Sequence, residues 1–269
     1  MQRTRILRTA LLAVILGVAV LAVPVSTAGT DAWDTVKSQH FVVMHVGDAA
    51  FASKVSDAAE GYYQTIAEDL GYARKTGFWL WENRVHILIY PTAEAFRVAN
   101  NAPAWAGGRA SGKLHEIAGC RTSGDGFVTT VLPHEMAHLV LGEFVGNDRI
   151  PLLVNEGFAQ WEQGSRKASP PPGGATTPWF TLVQLTAMDV RQETDPVLVQ
   201  RFYQQSVNIV GFLISTYGGD RFGRFCRELR DGRPLSDALK FAYPDFTAGL
   251  SSLEQAWRKY AGAPVNRER

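Results

Sequence analysis

Within "VLPHEMAHLV" two histidines stand four residues apart with a glutamate after the first, His134, Glu135 and His138. Those side chains can hold a divalent cation and move a proton beside it. On an α-helix, positions four apart project about 40° apart around the axis, so both imidazoles can face one ion. Glu135 lies next to them on the same side. A hydrolytic zinc site takes three protein ligands and keeps a fourth position for water. The motif supplies two ligands and a base, and without a third ligand its residues would merely decorate a buried helix.

The candidate for that ligand is Glu156 in "LVNEGFAQW", with 17 residues between it and His138. Taken alone, Glu156 reads as a solvated carboxylate beside Gly157. Joined to the His-Glu-x-x-His set it reads as a ligand, because Leu152, Leu153, Phe158, Ala159 and Trp161 predict a second apolar helix start. Two helices joined by a short loop can bring such residues into one core.

The elements that must position these groups follow from periodicity. "HFVVMHV" (40–46) and "RVHILIY" (84–90) are predicted strands, and a third is placed near Leu114 to Ala118. Residues 49–72 carry Phe51, Val55, Ala59, Tyr63, Ile66 and Leu70 at helical spacing, and Thr92 is the N-cap of a short helix. The glycines at the head of "GGRASGKLHEIAGC" read as a turn. From Phe127 the pattern becomes helical, with Pro133 tolerated if the helix begins close before it. The Pro/Gly-rich 165–178 stretch reads as a surface loop or interlobe connection, and the remainder is helical, with a Gly218-Gly219 stop. His40, His45 and His86 are expected to be structural, lacking partners at ligand spacing. His115 and Glu116 would point to opposite strand faces, so at most one could edge a site.

The first 28 residues run from Arg3, Arg5 and Arg8 through an apolar stretch to Pro24, Ser26 and Ala28, the order of a secretory signal. Cleavage after Ala28 would leave a secreted or cell-envelope protein, and retention would make an N-terminal membrane anchor. Cleavage removes three Arg and no acid, taking the formal charge from +1 to −2. With no Lys/Arg run remaining, nucleic acid is not an expected partner. Cys120 and Cys226 could pair in an oxidising compartment or stay as buried thiols.

"HEMAH" followed by "NEGFA" resembles the gluzincin branch of zinc metallopeptidases. The likeness extends to the peptidase MA-like domain family over roughly Phe41 to Tyr260, most strongly at 134–162 and 202–260. The resemblance implies that His134, His138 and Glu156 are zinc ligands and Glu135 the general base. Gluzincins commonly add a tyrosine hydroxyl from a downstream helix that stabilises the oxyanion, and Tyr203 in "YQQSVNIV" is the candidate, with Ser206 and Asn208 as weaker neighbours. Two features depart from the pattern. Some gluzincins carry an aspartate four residues past the ligand glutamate to orient the first histidine, and here that position is Gln160, while Glu162 lies off the spacing. Aminopeptidase relatives carry Gly-x-Met-Glu-Asn, which nothing in 107–119 matches.

The expectation is an exported α+β zinc metallopeptidase acting on a peptide or protein substrate, more endopeptidase than aminopeptidase. Its domain would span 29–269, with an N-terminal strand-and-helix lobe over about 31–125 and a helical lobe over about 126–263. The competing expectation is a non-catalytic cell-envelope binding or scaffold protein on a metallopeptidase core.

Overall fold

β1 (Asp34–Lys37), β2 (Phe41–His45), β3 (Val85–Tyr90), β4 (Gly108–Ser111) and β5 (Glu116–Cys120) form one mixed sheet in the order β1-β2-β3-β5-β4. The computed structural model describes residues 33–71, 79–80, 83–104, 106–164 and 179–262. The segments read from sequence as a leader (1–28) and as a loop or interlobe connection (165–178) lie outside the described residues. β2, β3 and β5 run parallel, and β1 and β4 close the two edges antiparallel.

Side-chain alternation along the strands sets two apolar faces. Phe41, Val43, Val85, Ile87, Ile89 and Ile117 enter the main core, whereas Leu88, Tyr90, Ala118 and Cys120 meet Phe96 on the opposite face. That second face is covered by α2 (Ala93–Asn100), whose Thr92 cap accepts the Ala95 N–H at 3.1 Å. α1 (Ala49–Asp69) lies against the main face, capped by Asp48, which accepts the Phe51 N–H at 3.0 Å.

Beyond the sheet the described chain is mainly helical, with α3 (Leu132–Val145), α4 (Leu152–Gln163), α5 (Leu182–Ala187), α6 (Pro196–Tyr217), α7 (Gly219–Arg230), α8 (Leu235–Ala242) and α9 (Leu250–Tyr260). The fold is α+β, as expected from the order of the periodic segments. No described helix is long and apolar enough to cross a membrane.

The approach to α3 is a π-helical turn over Phe127–Val131, in which the Leu132 N–H bonds to the Phe127 carbonyl. Pro133 gives the physical reason. It lacks an N–H, and its ring crowds the carbonyl four residues back, so the helix widens ahead of it. Phe127 seats this turn on the sheet: its ring fills the space where a side chain at Gly119 of β5 would stand.

Two strands differ from the sequence expectation. β4 forms within "GGRAS", read above as a turn, because Gly108 is needed for close packing against Val131 and not for bending the chain. β1 was not foreseen, since its four residues are largely exposed and carry no apolar alternation. Cys120 and Cys226 are both buried free thiols, so they do not pair. Cys120 accepts a hydrogen bond from the Thr122 hydroxyl at 3.3 Å, and burial pushes the Cys226 thiol up.

α7 crosses the end of α1 on glycines. A Cβ on Gly223 would collide with the Leu70 carbonyl, and one on Gly219 would stand 2.7 Å from the Asp69 carbonyl oxygen. Gly223→Ala is therefore expected to destabilise the fold by about 1–3 kcal/mol through overpacking. Urea unfolding checks this, with an unchanged midpoint as the contrary result.

Candidate metal centre

α3 is apolar nearly all round, the pattern of a helix enclosed by its neighbours. His134, Glu135, His138 and Glu143, its only charged or titratable residues, are also the only ones not fully buried. A buried helix can carry such groups only where they find partners or reach an opening. α3 and α4 are joined by a short turn in which the Arg149 N–H bonds to the Gly146 carbonyl at 3.0 Å. That connection returns the chain antiparallel and brings Glu156, in the second turn of α4, over the two histidines.

His134, His138 and Glu156 each present a ligand atom, and these atoms all lie within 4.8 Å of one another. The two imidazole Nε2 atoms are 3.1 Å apart, with the rings edge to face. The nearer Glu156 oxygen lies 3.9 Å from His138 Nε2, and the two side chains retain 20% and 14% exposure. Among the described residues no other group of three His, Cys, Asp or Glu side chains converges in this way.

Hydrogen bonding shows which way the nitrogens face. His138 Nδ1 lies 3.0 Å from Asn155 Oδ1. An amide oxygen can only accept, so Nδ1 carries the proton and Nε2 turns its lone pair toward His134. If His134 donates from Nε2 to satisfy that lone pair, its own Nδ1 becomes a bare acceptor, buried without a hydrogen bond of normal geometry although the Ala159 backbone and the Gln163 side chain lie beside the ring. A cation between the Nε2 atoms resolves the conflict by taking both lone pairs and freeing Nδ1 to carry a proton. The spacing suits one: tetrahedral zinc with bonds of about 2.0–2.1 Å places its nitrogen ligands about 3.3 Å apart. The residues present fit the ion.

The electrostatics of the cluster are dominated by burial. Burial, assisted by the neighbouring His138, lowers the His134 pKa to about 4, against the pull of the Gln163 side chain and the Ala159 backbone. Burial pushes the Glu135 carboxyl up, while His138, the Ala110 backbone N–H and Arg109 draw it back. Glu156 is likewise raised by burial and drawn down by His138 and Arg191. Tyr203, half-buried on α6, has its phenol pushed up to about 12 by burial and by the charge of Glu156. It therefore remains a donor at neutral pH, close enough to Glu156 to feel its charge.

Several sequence candidates are placed elsewhere. Asn208 accepts from the Trp257 indole at 2.7 Å, on the side of α6 away from Glu156. Ser206 is buried where its backbone meets Gly157. The α4 glutamine that acts on His134 is Gln163, three residues beyond Gln160. His40 pairs with Glu60 at 2.6 Å, His45 is buried and His86 is exposed, so none joins the cluster. Glu116 is held by Arg109 at 2.8 Å, and His115 stands before β5, 2.6 Å from Glu143. Asn155, Arg191 and the backbone of β4 were not singled out by spacing. Only the adjacency of Asn155 to Glu156 offered a signal.

In metal-free protein the depressed His134 pKa has a sign that can be worked out. Between about pH 6.5 and pH 4 the unfolded chain binds a proton that the folded chain refuses, so stability is intact above that window and falls with pH through it. The contribution is at most about 1.4 kcal/mol per pH unit. Urea unfolding in chelator at about pH 7, 5.5 and 4.5 should show a shallower decline for His134→Gln than for the unaltered chain.

The family model described as Peptidase MA superfamily matches residues 69–262. Comparison with curated proteins found no match.

Proposed function

The chain belongs to the peptidase MA superfamily, and from that premise we propose that it is a zinc metallopeptidase whose ligands are His134, His138 and Glu156. The convergence of the two Nε2 atoms at 3.1 Å, with Glu156 closing over them, is the observation that carries the reading. Zinc held there would polarise a peptide carbonyl and lower the pKa of a water to about 7.

The remaining roles belong to the chain itself. Glu135 takes the proton of the attacking water and passes it to the leaving amine, a task suited to a carboxyl whose pKa burial has raised. Tyr203 keeps its proton and can donate to the oxyanion that develops on the carbonyl. Asn155 holds the His138 ring and its tautomer. β4 ends the sheet beside Glu135, so an extended substrate can pair along this edge and present its backbone to the cluster.

We read the activity as endopeptidase. An aminopeptidase needs a free carboxylate to grip the substrate's amine, and Glu116, the acid on the β4–β5 hairpin, is already engaged by Arg109. The basic and apolar leader supports action outside the cytoplasm, on a peptide or protein substrate.

Elemental analysis beside peptide-library hydrolysis tests the proposal. The unaltered chain should carry one zinc and cleave peptides in a chelator-sensitive way. Glu156→Ala should lose both zinc and activity, whereas Glu135→Gln should keep zinc and lose about 10²–10⁴ in kcat. An unaltered chain that binds no zinc sinks the reading. Tyr203→Phe separates the oxyanion donor from packing: kcat should fall about 10²–10³ with KM and zinc content nearly unchanged.

A further inference from the structure

α3 presents a line of residues at four-residue spacing, Glu135, Leu139 and Glu143, along the β4–β5 hairpin. A Cβ on Gly108 would lie 3.2 Å from Glu135 Cγ, and one on Gly112 would lie 4.0 Å from Leu139 Cδ1. The third position makes a polar contact, with His115 Nε2 2.6 Å from Glu143 Oε1. The atoms are at ion-pair distance without hydrogen-bond geometry. The other Glu143 oxygen accepts the Trp79 indole N–H at 2.6 Å. Trp79 is 1% exposed, stacked on Tyr63 and edge-on to His115. Glu143 is thus braced from within the core on one oxygen and reaches the hairpin with the other.

His115 itself stands at φ 55, left-handed backbone that a non-glycine side chain seldom adopts. Such a conformation persists where its surroundings over-determine it. Here the restraints are the Glu143 contact and the His115 carbonyl, which accepts the His86 N–H of β3 at 3.0 Å. Its position bears on the site because β4, at the other end of the hairpin, carries the Ala110 N–H that faces Glu135. A hairpin free to lift from α3 would take the edge strand away from the base.

We propose that His115 and Glu143 are positioning residues, a clamp that holds the β4–β5 hairpin on α3 and sets the height of the substrate-binding edge over Glu135. The role of that edge rests on the peptidase reading. The clamp itself is a mechanical property of the fold and can be measured without turnover.

The test uses the full chain with Glu143→Gln, which keeps an acceptor for Trp79, and His115→Gly, which tolerates the positive φ but lacks the imidazole. Hydrogen exchange at the β4 amides should quicken about tenfold in both variants, with α3 and α4 protection and zinc content unchanged. For an extended peptide KM should rise about tenfold with little change in kcat, a small substrate confined to the ligand cluster should be unaffected, and combining the variants should add little. Unchanged β4 exchange overturns the clamp, whether or not the protein cleaves peptides. Loss of zinc and of α3 protection together with β4 also overturns it, since the pair would then be general packing. Quickened β4 exchange in a chain that cleaves nothing upholds the clamp and places the failure in the peptidase reading.

Discussion

The rest of the centre depends on one approach of backbone to backbone, at Gly157. A Cβ there would stand 2.5 Å from the Ser206 carbonyl oxygen and 2.7 Å from a Val210 methyl, so α4 and α6 can meet this closely only because position 157 has no side chain. Glu156 precedes that contact on α4, and Tyr203 lies one turn before it on α6. The separation of carboxylate and phenol is therefore set by main chain, which has far less freedom than two side chains reaching across a wider gap. α6 is in turn held from behind. Gln205, fully buried, grips both the N–H and the carbonyl of Phe180, at 3.1 and 2.8 Å, and Asn208 holds Trp257 of α9.

The other half of the centre is set from the sheet. Phe127 occupies the place of a side chain at Gly119, which ties the start of the α3 approach to β5. Pro133 then widens the helix by a π turn just ahead of His134. Gly108 lets β4 settle against Val131 at the end of that turn. Three local features of the sequence, an absent side chain, a proline and another absent side chain, fix where the histidines and Glu135 begin relative to the edge strand. The glycines here work by letting groups approach, and their conformational freedom is secondary.

This explains what could be read without coordinates. The His134 and His138 pairing was legible because helical geometry converts a spacing of four into a shared face, and Glu156 because its helix was apolar and its neighbours suggested a return. The long helices were legible for the same reason. β4 was hidden because glycine signals a turn and a close approach equally well. Gln163 was hidden because which residue of α4 faces His134 depends on how the two helices cross, and spacing along one helix does not contain that. Tyr203 could be nominated by likeness, yet only the Gly157 contact explains why its phenol feels the charge of Glu156. His115 and Glu143 lie far apart in sequence and meet through a hairpin that the sequence did not reveal.

The same constraints bear on whether zinc at this site would be structural or catalytic. A structural zinc is enclosed by four protein ligands and asks nothing further of its surroundings. Here three candidate ligands converge among the described residues, and the groups beside them are a glutamate with a raised pKa and a tyrosine that keeps its proton. Burying the Glu135 carboxyl costs stability. A site needed only to staple α3 to α4 would gain from replacing Glu135 with an apolar residue. On the proposed reading this cost is retained because proton transfer requires the carboxyl, and a scaffold would have no use for it.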